Sequence, residues 1–148
     1  MIDWAIFSQG WRLVMKMMQG TFKEWLMINP ILIQGFQSRN LAERLLQNRR
    51  IGTFIVRLST SHFGFLVISF VCDQIRIEKE KSIASDYGFN GKRAIVHHIL
   101  IRVEEDQSCY IFEEKGRHGY KSLTSLINTS PALKYYYPDI PKESVPSI

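Results

Sequence analysis

The chain has 148 residues, 45% hydrophobic and 22% charged, which suits one domain of ordinary size with a proper core and excludes the composition of a disordered tail. Lysine and arginine number 19 against 14 for aspartate and glutamate, a net charge of +5. That balance suits anionic partners, whether nucleic acid, acidic lipid or phosphorylated protein, without choosing among them.

Residues 3–26 carry apolar side chains at helical steps. Trp4, Phe7, Trp11, Val14, Met18, Phe22 and Trp25 form one stripe, predicting a single bent helix or two shorter ones packed on something, either this chain or a further domain. Gly10 and Gly20 lower the local propensity, and Asn29-Pro30 ends the pattern. SRNLAERLLQNRR, residues 38–50, predicts a second helix with Ser38 as N-cap, Leu41, Ala42, Leu45 and Leu46 as its apolar face, and Arg49-Arg50 complementing its dipole. FIVRLS and FLVISFVC then read as a β-hairpin around the loop STSHFG. Residues 73–93 are polar and read as a long connection. AIVHHILIRVE is a third strand, SCYIFEE a fourth, EKGRHGY a turn, and SLTSLINTS a last helix starting near Ser122. The tail holds four of the five prolines and reads as extended or irregular. The expected fold is α+β: a central antiparallel sheet flanked by two helices, with an extra N-terminal helical segment.

Two cysteines, Cys72 and Cys109, are too few for a disulfide framework or a metal set. Both sit in apolar runs and are expected as buried free thiols of a reducing compartment. The N-terminus is interrupted by Asp3, Arg12, Lys16, Lys23 and Glu24, unlike a signal peptide. No apolar run approaches the roughly 18 residues of a membrane span. The protein is read as soluble, cytoplasmic or also nuclear, without cofactor or metal.

Arg57 poses the chemical question. It stands within an apolar strand, where an unpaired guanidinium costs several kcal/mol. By alternation it shares a face with Ile55 and Ser59. Ser59 opens a loop with Thr60, Ser61 and His62 that offers hydroxyls and backbone N–H groups suited to an anion. An arginine fork below such a loop suits a doubly charged phosphate. The local sequence leaves an internal carboxylate partner equally open.

GTFIVRLS resembles the signature strand of the Src-homology-2 family of phosphotyrosine-binding modules. GFQSRNLAERLL resembles the family's first helix, GFLVISFV its next strand, VHHILI its central strand and GYKSLTSLI the approach to its last helix. These blocks run in the family's order over residues 35–127. The resemblance implies that Arg57 holds the phosphate bidentately and that Arg39 reaches in from the first helix. It further implies that Ser59 and Ser61 supply loop hydroxyls and that His98 lies beside the phosphotyrosine ring, while His97 faces away. Leu100 stands where many relatives have a basic residue, so the pocket relies more on Arg39. Ile99 matches a position that selects ligand residues after the phosphotyrosine, and an aliphatic there favours apolar ones.

SPALKYYYPDIPKESV resembles the closing segment of this domain in the signal transducers and activators of transcription, the STAT proteins. WLMINPILIQGFQSRNLAERLL resembles the end of their linker. SCYIFEEKGRHGYKSL is closer to the Src-type arrangement, and the mixture is similar to STAT-like proteins of plants and amoebae. The expected division is 1–34 as a linker-like segment and 35–148 as the phosphotyrosine-binding domain. The partner implied is a tyrosine-phosphorylated protein, in a signalling or STAT-like regulatory setting, with no nucleic acid contact and no membrane span. Tyr135, Tyr136 and Tyr137 match the domain's own closing segment, so the isolated chain is expected to be a monomer. A basic nucleic-acid-binding domain is the second reading, weakened because the cations are scattered and no row of aromatics lies along a strand with them. An enzyme is not expected: no nucleophile–base pair, metal-ligand cluster or phosphate loop followed by Lys-Ser or Lys-Thr occurs at usable spacing.

Overall fold

The computed structural model describes residues 4–28, 30–73, 94–113 and 116–145. The long connection expected at 73–93 lies, beyond Asp73, outside the described residues.

A helix α1 (Trp4–Gly20) runs almost without a break into a short α2 (Phe22–Trp25), because Thr21 N–H still donates to the Met17 carbonyl at 3.0 Å and Trp25 N–H to Thr21 at 3.0 Å. The stripe expected from spacing divides here. Val14 is buried, but Trp11, Met18 and Phe22 are exposed and Trp25 is half-buried. The face that packs is Val14, Met17, Thr21 and Glu24. A helix with apolar residues on two sides does not reveal by periodicity which side the sheet takes.

β1 (Ile33–Phe36) leads into α3 (Arg39–Leu46). Ser38 caps α3 as expected, its hydroxyl accepting from Leu41 N–H at 3.1 Å. Ala42 and Leu46 face inward, whereas Leu41 is exposed. The helix ends before Arg49 and Arg50, which stack instead over the rings of Tyr137 and Tyr135 at 5.1 and 4.1 Å. The expected boundary at 34/35 falls within β1.

The sheet is built from β2 (Thr53–Leu58), β3 (Phe65–Asp73), β4 (Ala94–Val103), β5 (Cys109–Glu113) and β6 (Gly116–Tyr120), antiparallel in that order. The turn expected at EKGRHGY is therefore largely strand. Residues 116–119 are exposed, so no buried alternation announced β6, and its pairing is supplied by β5. After α4 (Leu123–Thr129), β7 (Tyr135–Tyr136) pairs parallel to the start of β2 and antiparallel to β8 (Ile140–Pro141). The tail, expected to be extended or irregular, is in part extended and adds to the sheet. Tyr136 is buried against Phe54, ring centroids 4.9 Å apart.

One face of the sheet carries the main core: Phe54, Val56, Leu58, Leu66, Ile68, Phe70 and Ile101 with Leu123, Leu126 and Ile127 of α4 and Val14 and Met17 of α1. The other face meets α3 through Leu46, Ile55 and Val71. This is the expected α+β layering. Polar contacts tie its ends together. Glu24 accepts from Thr124 N–H (3.3 Å) and Oγ1 (2.9 Å) at the start of α4, and the Lys142 ammonium donates to the carbonyls of Ile127 (2.8 Å) and Ser130 (3.1 Å) at its end. Cys109 is fully buried, but Cys72 is only partly so.

Candidate functional site

Residues opposite one another in the register share a face. Arg57 lies opposite Val67, which lies opposite Leu100; Ile55, Ser69 and His98 form the next such row. The α3 face of the sheet therefore brings Arg57, Ser69, His98 and Leu100 together.

Arg57 is only 4% exposed. Among the described residues no carboxylate lies within ion-pair distance of it. Its guanidinium donates from Nε to Ser69 Oγ (3.1 Å) and from Nη1 to the Gln37 carbonyl (2.9 Å), and Nη2 lies 3.5 Å from His98 Nδ1. Of the five N–H donors of an arginine, the bonds to Ser69 and Gln37 engage two, and the 3.5 Å approach to His98 is too long to count, so donors remain on both terminal nitrogens. Burial lowers the pKa of Arg57, and the nearby Arg39 charge adds to the effect.

His98 Nδ1 lies 2.7 Å from Ser69 Oγ, and its Nε2 lies 3.0 Å from Glu43 Oε1. Burial lowers its pKa against the opposing bond to Glu43, favouring the neutral ring. One tautomer satisfies every group: Nε2–H donates to Glu43, Ser69 donates to Nδ1, and Ser69 Oγ accepts from Arg57. Glu43 also accepts from Arg39 Nε at 3.1 Å. Bonds from His98 and then Arg39 hold its carboxyl below the usual range. Arg39 itself is largely exposed, its side chain 71% accessible.

Ser59 follows Arg57 and is buried. Its Oγ accepts the N–H of Ser61 (3.3 Å) and of His62 (2.8 Å). Two N–H groups expected to face an anion are thus turned inward to shape the loop. The Ser59 hydroxyl keeps its proton to donate. Ser61 is exposed, with Oγ 3.4 Å from Ser59 Oγ and 3.0 Å from His62 Nδ1.

Arg57, His98 and Arg39 are thus linked through Ser69 and Glu43, and Ser59 and Ser61 belong to the loop that follows Arg57, while Ile99 points to the opposite face, with His97. There Ile99 lines a mostly apolar cleft of about 250 Å³ with Ile68, Phe70, Ile111, Tyr120 and Leu126. Leu100 stays on the Arg57 side. Three participants were not anticipated: Ser69, Glu43 and the Gln37 carbonyl. Ser69 is the one hydroxyl within the apolar run FLVISFVC, a visible signal once the register is known; Glu43 lies one helical turn after Arg39. Among the described residues no cluster of His, Cys, Asp or Glu could hold a metal ion, and no helix is long and apolar enough to cross a membrane.

The SH2 domain family model matches residues 32–129, 98 of the 148 residues. The chain belongs to the SH2 family. Among solved structures, the VAV1 SH2 domain in complex with a tyrosine-phosphorylated peptide from SLP76 is similar at 21% identity, covering 78% of this chain and 75% of that one with a TM-score of 0.48. No curated protein matches. The matched segment contains β1 to α4, hence every residue of the Arg57 cluster, and leaves α1 and α2 outside it.

Proposed function

We propose that this SH2 domain is a non-catalytic intracellular module that captures tyrosine-phosphorylated peptides. The observation that carries the reading is Arg57: a buried guanidinium without an ion-pair partner among the described residues, retaining N–H donors beside a hydroxyl-bearing loop. A phosphate dianion supplies both the charge and the planar acceptor pair that such a fork lacks. Arg39 swings from Glu43 to the phosphate and the ring face. Ser59 and Ser61 donate from the loop, and His98 lies beside the ring. Leu100 adds apolar contact on that side. Across the sheet, the cleft at Ile99 receives an apolar residue a few places after the phosphotyrosine, because its walls offer a buried polar group few partners.

A STAT-type context is the finer reading. It is supported by the likeness of residues 25–46 and 130–145 to the linker end and closing segment of those proteins, with 1–34 as the linker part. Tyr135, Tyr136 and Tyr137 pack at the β2 edge and beneath Arg50 and Arg49, so we read the isolated chain as a monomer. The test of the function is a peptide array carrying phosphotyrosine, phosphoserine and unmodified tyrosine in the same sequences. Capture confined to phosphotyrosine spots supports the reading; equal capture of all three, or none, refutes it.

A further inference from the structure

The loop between Arg57 and β3 leans on a helix that the family-matched segment does not include. Thr60, Ser61, His62 and Phe63 are all exposed, so little of the sheet holds them. α1 meets the loop at its end, at Phe63 and Gly64. A methyl added at Gly10 would come within 3.2 Å of the Phe63 ring. A methyl added at Gly64 would come within 2.4 Å of Leu13 Cβ and 2.9 Å of the Leu13 carbonyl carbon. Gly64 has φ +85°, which lets the chain turn into β3 at the point where Leu13 covers it. The helix is itself anchored, with Val14 and Met17 in the main core. At its far end a methyl on Gly20 would meet the Glu104 carbonyl oxygen at 2.1 Å, so helix and sheet touch there through bare backbone.

We propose that the Gly10–Leu13 turn of α1 is a positioning element of the phosphate site: it holds the Ser59–Gly64 loop in the shape that presents Ser59 and Ser61 beside Arg57. The inference rests on the phosphotyrosine reading of that site. A loop held in place before the ligand arrives loses less freedom on binding, and that saving appears as affinity.

The test uses the full chain and a phosphotyrosine peptide taken from the array. Leu13→Gly, which strips the Cβ lying against Gly64, and, from the loop side, the exposed Phe63→Ala each remove part of the contact. Both should weaken binding by about five- to twentyfold, the range expected when several loop side chains must be ordered anew. Ile140→Ala, in β8 and remote from the loop, serves as the stability control and should stay within about twofold. The Ser61→Ala loss measured in the wild-type background should shrink in the Leu13→Gly background, because a loosened loop no longer presents that hydroxyl. Should Leu13→Gly fail to fold, Phe63→Ala decides alone. Binding within twofold of wild type in the folded variants, or a loss no greater than that of Ile140→Ala, overturns the proposal while leaving Arg57-dependent binding intact. A wild-type chain that binds no phosphotyrosine peptide overturns the functional reading and this inference together.

Discussion

Glu43→Gln should raise phosphotyrosine affinity. In the free protein the Glu43 carboxylate accepts from both Arg39 and His98, so it occupies two groups the ligand would use and sets a negative charge beside an incoming dianion. Capture of phosphate by Arg39 requires that this arrangement open. The Arg39–Glu43 pair is an exposed one-turn helix pair, worth about 0.3–0.5 kcal/mol. The bond from His98 to a charged acceptor that is itself 40% accessible stands near the low end of its class, about 1.5 kcal/mol. Glutamine keeps the shape and the acceptor oxygen but removes the charge, which abolishes the first contribution and roughly halves the second. Opening then costs about 1 kcal/mol less, a gain of about fivefold in affinity. Calorimetric titration of wild type and Glu43→Gln with one phosphopeptide reads this directly. A fall in affinity would show that Glu43 serves the bound state by holding His98, and the competition argument would be wrong.

Other expectations follow from burial and face. His98 has its pKa lowered in the folded chain, so the native state binds fewer protons there than the unfolded one. Its contribution to stability is present above the ordinary histidine value near 6.5 and is lost as pH falls below it; the melting temperature should drop between pH 7 and 5, and His98→Gln should flatten that slope. Ile99→Lys should turn the preference at the downstream ligand position from apolar toward acidic residues, read from a degenerate phosphopeptide library; unchanged enrichment would remove Ile99 from the specificity surface. Cys109 is fully buried with its thiol pushed up to about 12, so in native protein at pH 8 iodoacetamide should label Cys72 well before Cys109, as mass spectrometry of the digest would show.

What could be read from the sequence was local or strictly periodic. Ser38 and Ser122 announced their helices because an N-cap is a contact within four residues. Arg57 stood out because a charge in an apolar strand breaks alternation. What escaped depends on pairing. β6 has no apolar face of its own, and β1 and β7 are short strands made by their contact with β2. The role of Ser69 needs the Arg57–Val67 register, and that of Glu43 needs α3 laid over β4. The side of α1 and α2 that meets the sheet was not legible in the stripe, because Trp11 and Phe22 are apolar yet face outward, while Thr21 and Glu24 are polar yet face inward.

The central claim is that Arg57 waits for a phosphate, and the affinity of folded Arg57→Ala for a phosphotyrosine peptide tests it most directly. The variant removes a buried cation with no ion-pair partner among the described residues, so its melting temperature should stay near that of wild type. Loss of a bidentate charged contact in a desolvated pocket costs about 2–5 kcal/mol, roughly 30- to 4,000-fold in affinity. Arg57→Lys should not restore it, since lysine lacks the planar fork. A folded Arg57→Ala chain that binds the phosphopeptide within a few-fold of wild type would contradict the account.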